Sequence, residues 1–378
     1  MITRTLEAII KDRLFSKKAI LLLGPRQVGK TTLVKKIHQD FQGKSVLLNG
    51  DNPPDRELLN QLNSSRAKDL FHEGQLVIID EAQRLDNSGL TLKILFDNCP
   101  GIQLIATGSS SFELTDKIKE ALTGRKWTFR LFPLSLEELS GYSSWVEVNR
   151  SLDKLMIYGA YPEVINRAGL EKEELYELVS DYLYRDLFSI KEIRKPELLE
   201  KLVKALAFQV GNQVSNRELS NLIQVDKETI DKYIHLLEEA FIIFRLNSFS
   251  GNLRNELKQS RKIYFYDNGI RNAVISQFNP MSLRQDIGAL WENLMISERQ
   301  KRNEYHRNYC NIYFWRTTRQ QEIDYLEEID GKLYAYEFKW TPSGKIKHAT
   351  SFLEAYPGSE FKEINRENYL DFIIPKQM

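Results

Sequence analysis

Ala19-Ile20-Leu21-Leu22-Leu23-Gly24-Pro25-Arg26-Gln27-Val28-Gly29-Lys30-Thr31-Thr32-Leu33-Val34-Lys35-Lys36-Ile37 is the stretch on which the fold turns. Its apolar run ends at a glycine, as a buried parallel strand does, and the residues from Thr31 onward read as a helix. Between them Gly24, Pro25, Arg26, Gln27, Val28 and Gly29 form a loop. The two glycines let successive backbone N–H groups turn inward and cradle a β-phosphate at the helix N-terminus. Lys30 reaches the β- and γ-phosphates, the Thr31 hydroxyl is placed for Mg²⁺, and Thr32 closes the motif. A chance glycine turn would not also supply strand, Lys-Thr and helix in that order. ATP with Mg²⁺ is the expected ligand, with GTP left open.

Two more apolar runs belong with the first. Leu76-Val77-Ile78-Ile79 ends in Asp80-Glu81. Asp80 at the carboxyl end of such a strand can hold Mg²⁺ through its water shell, and Glu81 can orient or deprotonate the attacking water. Ile102-Gln103-Leu104-Ile105-Ala106 ends in Thr107-Gly108-Ser109-Ser110-Ser111. Open α/β sheets bind ligands at that edge, so Ser109 is the expected polar sensor of the γ-phosphate.

A chain of 378 residues implies two or three domains. Charged residues make up 28% and the net charge is +1, so a nucleic-acid contact would need local basic patches, not a global field. Cys99 and Cys310 are too few and too far apart to imply a disulfide framework or a metal knuckle. No apolar run approaches a membrane span and the start carries an early Glu7, so no membrane partner and a cytoplasmic location are expected.

Gly24 to Thr32, Ile78-Ile79-Asp80-Glu81-Ala82-Gln83 and Thr107-Gly108-Ser109-Ser110 together resemble the AAA+-type ATPase module of a large bacterial and archaeal family with an uncharacterised C-terminal domain. The resemblance continues through Leu122-Thr123-Gly124-Arg125, Phe132-Pro133-Leu134-Ser135 and Gly159-Ala160-Tyr161-Pro162-Glu163. It implies that Arg125 senses the γ-phosphate, in its own subunit or a neighbour's; a solvated arginine beside Lys126 is the alternative. It also implies a helical lid after the ATPase core. The expected division is an ATPase core at 1–140, a lid at 141–208, a winged helix-turn-helix at 209–285 and a nuclease-like domain at 286–378.

In the third segment Ser215 caps one short helix and Asp226 a longer one, and two strand-like runs follow. Lys227 and Lys232 would face a major groove, while Arg254, Lys258, Arg261 and Lys262 would grip phosphate from the wing. The second helix also carries Asp226, Glu228 and Asp231, which suits a spacer or docking unit better than a DNA reader.

The last segment carries a different pattern. Gln321 to Glu328 and Lys332 to Trp340 alternate as strands around Asp330-Gly331, a strong hairpin signal. With those two residues as the turn, Asp324 lies opposite Glu337 and Glu322 opposite Lys339, all on one face, while Ile323 and Tyr325 share the other with Tyr336 and Phe338. Paired carboxylates make a hard-oxygen site for Mg²⁺ or Mn²⁺, and Lys339 beside them can stabilise a pentavalent phosphate. With Glu292 from a preceding helix, the set looks like the PD-(D/E)XK nuclease site, and a solvated face of cross-strand salt bridges is the plain alternative. The expected fold is α/β: a P-loop NTPase parallel sheet with lid, a winged helix, and a restriction-endonuclease-like domain. The expected function is an ATP-driven switch coupled to a domain that engages nucleic acid, DNA ahead of RNA, and cuts it. The alternative is a regulatory ATPase with a catalytically silent interaction module. Oligomeric state is left open.

Overall fold

The computed structural model describes residues 2–109, 121–181, 193, 195–249, 261–317, 319–343 and 347–374. Two compact units divide the chain: Met1–Leu134 with Glu239–Phe241, and Ser135–Glu238 with Ile242–Met378. No helix among the described residues is long and apolar enough to cross a membrane.

The first unit is built on strands β1 (Ala19–Leu23), β2 (Ser45–Asn49), β3 (Leu76–Asp80), β4 (Gln103–Gly108) and β5 (Lys126–Arg130). They form one sheet in the order β2-β3-β4-β1-β5, every neighbouring pair parallel. β1, β3 and β4 are buried along their whole length, which is why they read as unbroken apolar runs. Parallel register brings all carboxyl ends to one edge, so Gly24, Asp80 and Thr107 gather there as the sequence predicts. The chain leaves β1 through Gly24, where an added Cβ would lie 2.1 Å from the Leu131 carbonyl oxygen. Only glycine fits against that backbone.

The second unit contains the helices expected as a lid. Among them, Leu152–Tyr158 packs against the Asn268–Val274 helix of the same unit. The chain turns beyond it at Gly159, whose φ is +68°, and a Cβ there would fall 1.9 Å from Asp267 Oδ1. Asp267 Oδ2 accepts the Ala160 amide at 2.7 Å, so the Gly159-Ala160-Tyr161-Pro162 motif is a docking turn.

Strands β6 (Gln213–Val214), β7 (Ile243–Ser248), β8 (Arg261–Phe265), β9 (Asn311–Arg316), β10 (Glu322–Ile329), β11 (Lys332–Phe338) and β12 (Glu360–Ile364) form one continuous sheet. Its order is β12-β11-β10-β9-β7-β8-β6. Over the residues where a winged helix is expected, helices Asn216–Ile223 and Lys227–Glu239 are followed by the antiparallel β7–β8 pair. However, β7 also pairs in parallel with β9 through Asn247–Tyr313 and Ser248–Phe314. The boundary expected at 285/286 is therefore bridged by backbone hydrogen bonds. The Ile287–Tyr305 helix lies against β8 and β11, and Asn293 fixes it: its side chain accepts the Phe265 amide at 2.7 Å and donates to the Phe265 carbonyl at 2.9 Å.

Replacing Gly159 by alanine forces both a left-handed backbone and a collision with Asp267. The substitution is expected to destabilise the second unit by about 2–4 kcal/mol. Chemical denaturation of the full chain measures this; a loss under about 0.5 kcal/mol would show that the turn relaxes.

Candidate functional sites

At the carboxyl edge of the first sheet, one carboxylate links two strands and the helix after the phosphate loop. Asp80 is 2% exposed; its Oδ2 accepts the Thr31 hydroxyl at 2.7 Å and its Oδ1 accepts the Thr107 hydroxyl. Thr107 Oγ1 in turn accepts the Glu81 amide at 3.1 Å. Glu81 stands at φ +52°, a conformation uncommon for a residue with a side chain and frequent at functional sites. Gln83 Nε2 donates to the Glu81 carboxylate and, at 2.8 Å, to Ser109 Oγ. Glu81 and the Ser109 hydroxyl are thus held on one amide.

The phosphate loop is held from behind. Gly29, with φ +93°, caps the Lys30–Asp40 helix. Lys30 Nζ donates to the Gly24 and Pro25 carbonyls at 2.8 and 2.7 Å. Arg4 places one guanidinium nitrogen on the Val28 carbonyl and the other on the Phe132 carbonyl, at 2.6 Å for the latter. Burial pushes the Lys30 ammonium down to about 8, against the pull of Glu81 and Asp80.

Arg125 requires a correction within its own subunit. It immediately precedes Lys126, which pairs with Ala19 at the start of β1, whereas the phosphate loop follows Leu23. A five-residue strand at ~3.3 Å per residue separates the two edges by about 16 Å. The Arg125 guanidinium instead pairs with Asp97 at 2.6 Å, on the surface.

The second unit assembles the other predicted residues. β10 and β11 pair in the expected register, Ile329 with Lys332 through Tyr325 with Tyr336, so Asp324 and Glu337 come next. Asp324 Oδ2 accepts the Phe338 amide at 3.0 Å, and Lys339 Nζ donates to Glu337 Oε1 at 2.8 Å. Glu292 arrives from the Ile287–Tyr305 helix. Burial first, then the Asp324 charge, pushes Glu292 up to about 8 and Glu337 up to about 7.

Three expectations here are overturned. A register shift against β9, between Ile323 and Leu326, places Ile323 in the cluster of Leu326, Trp315 and Phe352 and not beside Tyr325. Glu322 does not pair with Lys339; its oxygens go to Lys262 at 2.6 Å and Arg316 at 3.2 Å. Lys262 is no phosphate-gripping wing residue. It is 1% exposed, and its ammonium also lies 3.2 Å from Glu292 and 3.4 Å from Asp324. Arg261 pairs with Asp231, and Arg254 and Lys258 lie outside the described residues.

Other basic residues near the hairpin are also spent internally. Arg299 is buried against Glu327 at 2.8 and 2.5 Å, and Lys301 against Glu298 at 2.7 Å. Lys227 and Lys232 are exposed among Asp226, Glu228 and Asp231. Among the described residues no group of three or more His, Cys, Asp or Glu side chains is arranged to hold a metal ion. Glu337 Oε2 is buried without a hydrogen-bond partner among the described residues, which fits a cation shared with Asp324. Glu292 does not fit as a ligand: its Oε1 takes the Tyr264 hydroxyl at 2.5 Å as well as Lys262.

Sequence reasoning missed Gln83, Arg4 and Tyr264, named Thr107 without its hydrogen-bonding role, and gave Lys262 the wrong one. Only Lys262 and Tyr264 carried a usable signal, alternating on one strand face.

A phosphate beside Lys30 favours its charged form, so the pKa near 8 should rise on nucleotide binding. Binding then takes up a proton and weakens as pH climbs above about 8. Calorimetry with Mg·ATP at about pH 9, in buffers of different ionisation heat, should report that uptake, and about pH 7 should not. Equal heats in both buffers at the higher pH would contradict it.

Residues 16–140 match the family model described as an AAA domain; 149–281 and 287–370 match two described as domains of unknown function, DUF8612 and DUF4143. An uncharacterized protein of Mycobacterium tuberculosis is 26% identical over 354 residues, spanning 92% of this chain and 76% of its own. One from Methanocaldococcus jannaschii is 25% identical over 348 residues, spanning 84% and 74%. Among solved structures, the Thermotoga maritima RuvB Holliday junction branch migration motor overlaps 65% of this chain and 90% of its own, at 17% identity and a TM-score of 0.32. Residues 16–140 thus match an AAA domain model and carry the phosphate loop at the carboxyl edge of a parallel sheet, ahead of two segments that match further domain models.

Proposed function

We propose that the chain binds Mg·ATP on Gly24 to Thr32 and hydrolyses it, using the cycle to switch its second unit. The carrying observation is the Thr31–Asp80–Thr107 link, which ties the phosphate loop to the strand end that supplies Glu81. Lys30 would neutralise the β- and γ-phosphates, and Thr31 and Asp80 would hold Mg²⁺ directly and through water. Glu81 would orient the attacking water, with Gln83 steadying it and Ser109 at the γ-phosphate. GTP in place of ATP remains open, as does any role for Arg125 at a neighbouring subunit's nucleotide. Lys30→Ala should abolish nucleotide binding, whereas Glu81→Gln should bind normally and lose turnover by about 10²–10⁴-fold. Wild-type turnover in Glu81→Gln would remove Glu81 from the mechanism.

A second reading concerns the hairpin. The unpartnered Glu337 Oε2 favours one divalent ion, Mg²⁺ or Mn²⁺, held by Asp324 and Glu337. When bound, such an ion supplies a polarised water or phosphoryl oxygen. Lys339 would face the developing charge of a scissile phosphate. A nucleic-acid partner, DNA ahead of RNA, follows from this chemistry, and a silent protein-interaction module is the rival. With Mn²⁺ and mixed DNA and RNA, the nuclease reading expects cleavage that disappears in both Asp324→Ala and Lys339→Ala. Intact substrates throughout would favour the rival.

A further inference from the structure

Lys262 is a buried ammonium at the centre of an acidic cluster. It reaches Glu322 Oε1 at 2.6 Å, Glu292 Oε1 at 3.2 Å and Asp324 Oδ1 at 3.4 Å. An ammonium is retained in such surroundings only where carboxylates enclose it. Its neighbours complete the enclosure. Tyr264, two residues along the same strand face, donates to Glu292, and Arg316 covers the other Glu322 oxygen. Asn293 clamps the Phe265 backbone, which fixes β8, and with it Lys262, against the helix that carries Glu292.

We infer that the Lys262 ammonium is the resident cation of the Glu292–Glu322–Asp324 half of this site, filling the place where a second divalent ion would be held. Glu337 Oε2 stays open to one divalent ion, with Asp324 beside it. The geometry divides the carboxylates: Glu292 and Glu322 have cationic or hydroxyl donors and Asp324 has Lys262 and the Phe338 amide, while Glu337 Oε2 has none among the described residues. The inference builds on the one-ion reading of Asp324 and Glu337 above, and its test is ion binding, so a failure to cut nucleic acid leaves it standing.

The test is Mn²⁺ titration of the full chain without nucleotide, followed by electron paramagnetic resonance, so that any ion at Thr31 contributes equally to every variant. In wild type the hairpin site should disappear in Glu337→Gln and keep its affinity within about twofold in Glu322→Gln. Lys262→Met leaves three carboxyls without their ammonium, and Mn²⁺ should bind about tenfold tighter or more. That gain should vanish in the double variant Lys262→Met/Glu322→Gln. Equal Mn²⁺ affinity in a folded Lys262→Met would overturn the inference. So would loss of wild-type binding in Glu322→Gln or Glu292→Gln, since either carboxylate would then be a ligand. If Lys262→Met does not fold by circular dichroism, those two single variants decide the matter.

Discussion

Asp80 is the constraint on which the first unit depends. A carboxylate that is 2% exposed is tolerated only if its oxygens are satisfied, and Thr31 and Thr107 satisfy them. Those two hydroxyls stand on the helix after the phosphate loop and on β4, while Asp80 itself ends β3. One acidic group therefore ties three elements together at the edge where a parallel sheet collects its carboxyl ends. In the proposed function the same group holds the nucleotide-bound cation. Burial and function impose the same requirement on it, which is why the apolar run before it is so unbroken.

The second unit is organised by a single sheet that runs through two segments the sequence separates. The β7–β9 pairing makes the β7–β8 hairpin continuous with strands β9 to β12. Lys262 and Tyr264 thereby reach carboxyls from Glu292, Glu322 and Asp324. Lys262, which a linear reading gives to nucleic acid, is consumed inside the protein, as are Arg299 by Glu327 and Lys301 by Glu298.

The legible parts of the structure were those governed by local rules. Strand, loop and helix around Gly24 to Thr32 follow from period and glycine placement. The β10–β11 register follows from the two-residue Asp330-Gly331 turn. What escaped is long-range. Arg4 reaches Val28 and Phe132, partners far along the chain that no window contains. The register shift between Ile323 and Leu326 depends on β9, a neighbour that the hairpin rule does not include. Arg125 was placed by resemblance and not by strand direction, and the parallel pairing of β5 with β1 moves it to the far edge.

In the proposed cycle Asp80 couples metal to nucleotide. The direct measurement is Mn²⁺ binding by electron paramagnetic resonance in the presence and absence of ATP, comparing wild type with Asp80→Asn. ATP should tighten Mn²⁺ binding markedly in wild type. In Asp80→Asn that coupling should be lost while ATP alone still binds through Lys30 and the loop amides. Undiminished coupling in Asp80→Asn would contradict the account.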